Sequence, residues 1–365
     1  MKIPPILDSK VNHTWSYFGG RECKTIKIGN IKIGGKNPVA VQSMLNADSS
    51  NFRESSKQIQ DLLEAGCEIV RIAVPNEESL TTLRKLRKKF EQIPLVADIH
   101  FDHKLALQAI EIGVDKIRIN PGNLGGDKNL KEVVEACKKK RIPIRVGVNG
   151  GSLEKGVKGK TLAEKLANSA LENVRKIEKL GWKEIVISAK ASDVRTSVEA
   201  YRLLAKKTKY PLHLGITEAG GKQAGLIKSA AGLGSLLLDG IGSTLRISLT
   251  ANPVEEVKAA WDLLRACGVR SRGVDVISCP TCGRCEVDLI SLVEKVEKAV
   301  EKIQKPLKIA VMGCVVNGVG ESKHADFALV GGKKMFGIYA KGKLISTVQE
   351  KDALKRLVEV VAVDI

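Results

Sequence analysis

The chain has 365 residues, 43% of them hydrophobic, enough for one large domain and a smaller one with buried cores. Lys and Arg outnumber Asp and Glu by 60 to 41, a formal charge of +19, yet the basic runs RKLRKKF, CKKKR and AKKTK stand at helix ends and aromatic residues make up only 4% of the chain. Without aromatic platforms for bases, this balance argues against a nucleic-acid partner and for a solvated surface with loose anion attraction.

From the N-terminus, MKIPPILDSKVNHTW lacks the apolar run and small-residue cleavage site of a secretory signal, and no stretch reaches the roughly 18 consecutive apolar residues of a membrane span. A cytoplasmic protein with no membrane partner is expected, opening with an N-terminal segment over residues 1–20. Short β-branched runs follow: PVAVQSM from Pro38, EIVRIAVP from Glu68, PLVADIHF from Pro94, KIRINPG from Lys116, PIRVGVN from Pro143, EIVISAK from Glu184, PLHLGIT from Pro211 and TLRISLT from Thr244. Between them lie segments with 3.6-residue periodicity, among them NFRESSKQIQDLLEAG, KNLKEVVEACKKKR, TLAEKLANSALENVRKIEKLG and ANPVEEVKAAWDLLRACG. Strands and helices alternating at this spacing predict parallel pairing, and eight such units fit an α/β fold of the (β/α)8 TIM-barrel type over residues 21–268. A doubly wound sheet is the alternative.

In such a barrel the chemistry sits at the C-terminal ends of the strands. Read in order, those ends carry Arg71, Asp98 and His100, Arg118 and Asn120, Arg145 and Asn149, Lys190 and Ser192, Thr217 and Glu218, and Arg246 and Ser248. Five strands with a cation, against few acids, point to a dense anion such as a phosphate or diphosphate ester, because buried charge is costly unless matched and guanidinium matches phosphate bidentately. An internal salt-bridge network is the rival reading. Glu218, beside the flexible AGG sequence, suits a general acid or base whose pKa burial would raise, or equally a partner for one of the arginines. His100 and His213 read as hydrogen-bonded strand histidines, and the Gly-rich EAGGKQAGLIKSAAGLGSLLLDG as a source of backbone amides for an anion.

Beyond residues 268–273 the pattern changes to a compact α+β domain over residues 269–365. VDVISCP and LKIAVMG read as strands, EVDLISLVEKVEKAVEKIQ as a helix, VVNGVGE as a loop, DFALVGG and MFGIYAKGKLISTVQ as further strands, and KDALKRLVEVV as a closing helix. Eight cysteines are too few for a disulfide scaffold, and Cys67 and Cys137 read as small semi-buried hydrophobes. Cys279, Cys282, Cys285 and Cys314 instead cluster near the C-terminus, where thiolates select zinc or iron–sulfur chemistry. By count Cys285 completes four sulfurs. A helix from Glu286 would turn it away, leaving Glu321, in a glycine-rich loop, as the fourth donor, and the spacing admits both.

SCPTCGR and GCVVNGVGE, together with VQSM, VADIHFD, RINPGN, GVNGGSLEK, KASDV, HLGITEAGG and SRG, closely resemble the 4-hydroxy-3-methylbut-2-enyl diphosphate synthase family, over roughly residues 20–350. The resemblance implies an oxidoreductase of the non-mevalonate isoprenoid pathway, which reductively opens and dehydrates 2-C-methyl-D-erythritol 2,4-cyclodiphosphate with two electrons delivered through a [4Fe-4S] cluster. It implies Cys279, Cys282, Cys314 and Glu321 as cluster ligands and Cys285 as a bystander. Arg71, Arg118, Arg145, Asn149, Lys190, Arg246 and Ser248 become contacts of the cyclic diphosphate, and Glu218 the catalytic proton donor or acceptor. It also implies the short form without an inserted domain, a homodimer whose active site is shared between chains, and reduced ferredoxin or flavodoxin as electron donor. Val319 departs from the VNGPGE form common in that family, and the family often lacks a cysteine at position 285. Two rivals are a pterin-type barrel with an all-thiolate relay cluster that includes Cys285, and a basic nucleic-acid-binding protein with a four-cysteine zinc knob.

Overall fold

The computed structural model describes residues 20–363 apart from Lys155 and Lys334, so the expected N-terminal segment lies outside the described residues up to residue 19. The chain divides into two compact units, Met1–Arg270 and Ser271–Ile365.

The first unit opens with a hairpin that the strand-run reading passes over. β1 (Ile26–Ile28) and β2 (Ile31–Ile33) pair antiparallel, and their alternation buries four isoleucines while exposing Lys27 and Lys32. Gly29 takes the turn at φ +57°, where a Cβ would also meet Asp115 Oδ1 at 2.9 Å. The four isoleucines pack on Ala40, Ile69, Val96 and Val186, residues near the starts of four barrel strands. The hairpin therefore stoppers the N-terminal end of the barrel, each side chain gaining about 1.5–3 kcal/mol from burial.

Eight strand–helix units follow: β3 (Ala40–Met44) and α1 (Phe52–Glu64), β4 (Ile69–Ala73) and α2 (Glu77–Lys89), β5 (Leu95–Asp98) and α3 (His103–Ile112), β6 (Lys116–Ile119) and α4 (Asp127–Lys140). Then come β7 (Ile144–Asn149) and α5 (Leu162–Lys179), β8 (Ile185–Lys190) and α6 (Val194–Lys207), β9 (His213–Leu214) and α7 (Lys222–Leu238), β10 (Thr244–Leu245) and α8 (Pro253–Ala266). All eight expected strands are present. They pair in parallel in the order β8-β7-β6-β5-β4-β3-β10-β9, and a lone parallel bridge between Ile187 and Leu212 joins the two ends. The fold is thus the TIM-type barrel rather than the doubly wound sheet. Helix starts are fixed where side-chain oxygens of Asn51, Asn76, Asp102, Thr161, Asp193 and Asn252 accept backbone N–H groups, and Pro253 occupies the first turn of α8 as its sequence suggests. Apolar strand and helix faces from Val39 to Val269 form one continuous core.

The second unit is built from β11 (Val274–Ser278), α9 (Leu289–Val300), β12 (Leu307–Met312), α10 (Val315–Glu321), β13 (Phe327–Gly331), β14 (Met335–Ala340), β15 (Lys343–Gln349) and α11 (Glu350–Val363). Its sheet runs β11-β12-β13-β14-β15, parallel among the first three strands and antiparallel thereafter. Apolar residues of α9 and α11, such as Val296, Val300, Leu357 and Val361, pack on Ile309, Val311, Leu329 and Ile338 of the sheet.

Two local expectations fail in this unit. α9 starts at Leu289 rather than Glu286, because Asp288 caps it by accepting the Ser291 N–H. The segment after Cys314, expected as a loop on account of its glycines, is the short helix α10. Gly318 is required there: a Cβ would stand 2.3 Å from Val330 Cγ1, so the glycine lets the helix lie against β13.

Candidate active site

Because side chains alternate along a strand, Arg71 of β4, Arg118 of β6, Arg145 of β7 and Lys190 of β8 all point to the barrel axis, and Arg246 joins them just past β10. They line one cavity, open to solvent, with Asn149, Ser188, Thr217 and Ser248. All seven residues expected as substrate contacts therefore surround a single space. Arg118 and Arg145 are direct register partners on adjacent strands, a like-charge pairing that destabilises a sheet unless something anionic lies over it.

Two carboxylates face these five cations. Asp98 receives Arg71 Nη2 at 2.7 Å and Arg118 Nη1 at 3.4 Å, with His100 Nε2 3.3 Å away. Burial alone would raise Asp98, but Arg71, the His100 hydrogen bond and Arg118 outweigh it and hold the carboxyl well below the usual range. Glu256, buried on α8, accepts Arg246 Nε and Nη2, both at 3.1 Å, and also Ser43 Oγ and the Leu249 N–H. Sequence reasoning passed over Glu256. Its signal is an acid on the apolar stripe of PVEEVKAAWDLL, among Val257, Ala260 and Trp261.

Among the described residues, neither Arg145 nor Lys190 pairs with a carboxylate. Arg145 is 1% exposed, and its Nε and Nη1 are buried without a hydrogen-bond partner. Burial first, then Arg71 and Arg118, push its guanidinium well below its ordinary value. Lys190 is depressed in the same way, by burial and then by Arg145, Arg71, Arg246 and Arg118. Deeper in the barrel Lys116, wholly buried, donates to Gln42 Oε1 at 3.3 Å, and burial followed by Arg145 and Arg71 pushes it down too. An internal salt-bridge network accounts for Arg71, Arg118 and Arg246 but leaves Arg145 and Lys190 unmatched. An anion would match them.

Two glycines make room for the cations. At Gly147 a Cβ would stand 2.4 Å from Arg118 Nε, whose guanidinium lies flat on β7 and donates from Nη2 to the Gly147 carbonyl at 3.1 Å. At Gly215 a Cβ would meet Lys190 Nζ at 2.4 Å and the Arg246 carbonyl at 3.0 Å. A glycine inside a strand marks such a close approach, and both PIRVGVN and PLHLGIT carry that signal.

Glu218 stands past the end of β9, exposed, with a left-handed backbone at φ +52° that a non-glycine residue rarely adopts. A Cβ on Gly151 would come within 4.0 Å of its Oε1, so the carboxylate faces the loop after β7. The expected burial is absent. Glu218 also makes no pairing with the cavity arginines. His213 is buried, with Nδ1 2.7 Å from Thr244 Oγ1, as a strand histidine should be.

In the second unit, Cys279 directly follows β11 and Cys314 stands two residues past β12, with Ser278 and Val311 in register, so both thiols lie at the same edge of the sheet. The Gly313 N–H donates to Cys279 Sγ at 3.4 Å. Cys282 is exposed; Cys285 closes a turn by donating its N–H to the Cys282 carbonyl at 2.9 Å and directs its thiol to the Val287 carbonyl at 3.2 Å. Glu321 ends α10, about 10 Å along the chain from Cys314 by helical rise. Among the described residues no three His, Cys, Asp or Glu side chains already converge as a metal site. The donor chemistry, thiols gathered at the ends of adjacent parallel strands, nonetheless fits a thiophilic centre.

Comparison with known proteins bears on both units. A dihydropteroate synthase of Thermus thermophilus, solved in complex with 6HMPPP, aligns with 67% of this chain and 98% of its own at a TM-score of 0.51 and 13% identity, a likeness of fold alone. The protein named 4-hydroxy-3-methylbut-2-en-1-yl diphosphate synthase (flavodoxin) in Caldanaerobacter subterraneus subsp. tengcongensis is 52% identical over 339 residues, 92% of this chain and 95% of that protein. A protein of the same name in Fusobacterium nucleatum is 47% identical, covering 94% of this chain and 98% of its own. The family profile described as the GcpE TIM-barrel domain matches residues 23–261, and that described as the GcpE protein C-terminal domain matches residues 275–363. Since both profiles match in order and the relatives align almost end to end, the chain belongs to the GcpE family and is an enzyme of the oxidoreductase class.

Proposed function

We propose that the chain reductively opens and dehydrates 2-C-methyl-D-erythritol 2,4-cyclodiphosphate to 4-hydroxy-3-methylbut-2-enyl diphosphate, a step of the non-mevalonate isoprenoid pathway. The observation that carries the reading is the unmatched pair Arg145 and Lys190 in a cavity of five cations and two carboxylates, which calls for a dense anion such as a diphosphate. The names of the relatives supply the product.

In this reading Arg145 and Lys190 take the diphosphate oxygens, while Arg71 and Arg118 on Asp98, and Arg246 on Glu256, are held ready in fixed orientations. Asn149 and Ser248 fix the carbon skeleton through hydrogen bonds, and exposed Glu218 on its strained backbone exchanges a proton with the substrate. Cys279, Cys282, Cys314 and Glu321 would hold a [4Fe-4S] cluster, with Cys285 outside the ligand set. Bound there, such a cluster supplies two electrons one at a time and a Lewis-acidic iron. Residues 21–268 then serve as the substrate domain and residues 269–365 as the cluster domain, and a homodimer completes each active site. The electron donor is an acidic flavodoxin, as the relatives' names indicate, or a ferredoxin, drawn to a chain of net charge +19. The setting is the cytoplasm, where structural disulfides are rare, and no described helix is long and apolar enough to cross a membrane.

Anaerobic purification followed by iron analysis and Mössbauer spectra tests the reading. About four irons per chain are expected, retained by Cys285→Ser and altered at one iron by Glu321→Ala, with turnover of the cyclic diphosphate under reduced flavodoxin. Zinc in place of iron, or loss of iron from Cys285→Ser, would overturn it.

A further inference from the structure

Cys285 has no part in the reaction proposed above, yet it is built into a specific position. The sequence overlaps two Cys-x-x-Cys pairs that share Cys282: Cys279–Pro–Thr–Cys282 and Cys282–Gly–Arg–Cys285. The structure treats them differently. Only the second pair is closed by a backbone hydrogen bond among the described residues, from the Cys285 N–H to the Cys282 carbonyl at 2.9 Å. A turn of that kind holds its end Cα atoms within about 7 Å, against the roughly 4.4–6.8 Å that a disulfide spans. The space around Gly283 is open, so the turn can tighten without a clash.

The surroundings sort the sulfurs further. Cys279 Sγ is tied to the Gly313 N–H, at the end of β12, and Cys314 is buried. Cys282 is exposed to a solvent-borne reagent, whereas Cys285 is half-buried and its sulfur would contact a Cβ on Gly313 at 2.4 Å. An exposed attacking thiol beside a sheltered resolving thiol is the arrangement of a reversible dithiol.

We propose that Cys282 and Cys285 form a redox-reversible disulfide in the cluster-free protein, which removes Cys282 from the ligand set and blocks iron loading until a dithiol reduces it. The oxidant is a small-molecule disulfide of the glutathione class. Cys282 sulfur attacks it, forming a mixed disulfide and releasing one small thiol. Cys285 sulfur then attacks Cys282 sulfur, breaking the mixed disulfide and releasing the second small thiol. The two protons lost by the cysteines end on the two released thiols, and the two electrons reduce the reagent. The blocking role rests on Cys282 being a cluster ligand; the disulfide itself does not.

Cluster-free full-length protein is equilibrated with oxidised glutathione, then alkylated before and after reduction and mapped by mass spectrometry. Wild type should lose the two thiols of Cys282 and Cys285 together, while Cys285→Ser and Cys285→Ala should stop at a glutathione adduct on Cys282. A disulfide between Cys279 and Cys282, or an adduct that persists on Cys282 in wild type, would overturn the pairing. The oxidised wild type is then offered ferrous iron and sulfide with and without dithiothreitol. Iron uptake should require the dithiol in wild type but not in Cys285→Ala kept free of glutathione. Equal uptake by the mapped disulfide form would overturn the blocking role. Failure of the fully reduced protein to take up iron would instead sink the cluster reading, with the disulfide map unaffected.

Discussion

Replacing Gly147 by alanine isolates how the cavity holds its arginines. The new methyl would stand 2.4 Å from Arg118 Nε, 3.1 Å from Cζ and 3.0 Å from Nη2, whereas ordinary contact begins near 3.4 Å. The guanidinium must therefore retreat by about 1 Å, since it is the mobile end of a side chain and the β7 backbone is not. Retreat breaks the bond from Nη2 to the Gly147 carbonyl and lengthens the 3.4 Å contact of Nη1 with Asp98. Losing one well-placed charged hydrogen bond costs about 1.5–3 kcal/mol, so affinity for a diphosphate should fall about 10- to 150-fold. Stability should fall by about 0.5–2.5 kcal/mol, because the lost bond to the Gly147 carbonyl outweighs the roughly 0.5–1 kcal/mol of chain entropy that alanine recovers in a strand relative to glycine. Calorimetric titration with inorganic pyrophosphate at fixed salt measures the first quantity and urea unfolding the second. Wild-type affinity in a folded Gly147→Ala protein would refute the claim that Arg118 is positioned by the missing side chain.

Other outcomes follow from the same charges. Arg145→Met should make the ligand-free protein more stable, by about 1–3 kcal/mol, because it removes a buried cation with no carboxylate, while abolishing thermal protection by pyrophosphate; a destabilised variant that keeps that protection would contradict this. Lys190 is depressed in the folded protein, so the unfolded chain binds the extra proton and stability should rise with pH from the depressed value up to the ordinary lysine value of about 10.4. Lys190→Met should flatten that slope by up to about 1.4 kcal/mol per pH unit, read from urea unfolding at several pH values. Asp98 has the opposite sign: its carboxyl is depressed, so its stabilisation is present above about pH 4 and lost as pH falls through the lowered folded value, and Asp98→Asn should remove that acid-side transition from melting curves. Ile28→Ala, in the hairpin under the barrel, should cost about 2–5 kcal/mol in unfolding free energy without changing pyrophosphate affinity.

The barrel was legible because its strands are short β-branched runs and the helices between them carry 3.6-residue apolar periodicity, six of the eight also opening on a side-chain cap. The cations at the strand ends were legible for the same reason, since register and alternation alone decide which residues meet at the axis. Glu256 and the two glycines were harder to see. A carboxylate reaching in from a helix has no strand alternation to betray it, and a glycine's role lies in what occupies the space it leaves. The hairpin was hidden by its length, three residues per strand, although IKIGNIKIG alternates around a Gly-Asn turn. The helix after Cys314 defied its glycine spacing because packing on β13 outweighs the intrinsic cost of glycine in a helix.

The lone bridge between Ile187 and Leu212 gives the barrel a seam. On one side of it stands Lys190, at the end of β8; on the other stand Thr217 and Arg246, past β9 and β10, and all three line the same cavity. A doubly charged guest held between them would tie the two sides of that seam together, so the expected signature of binding is slower opening along this line than in the empty protein.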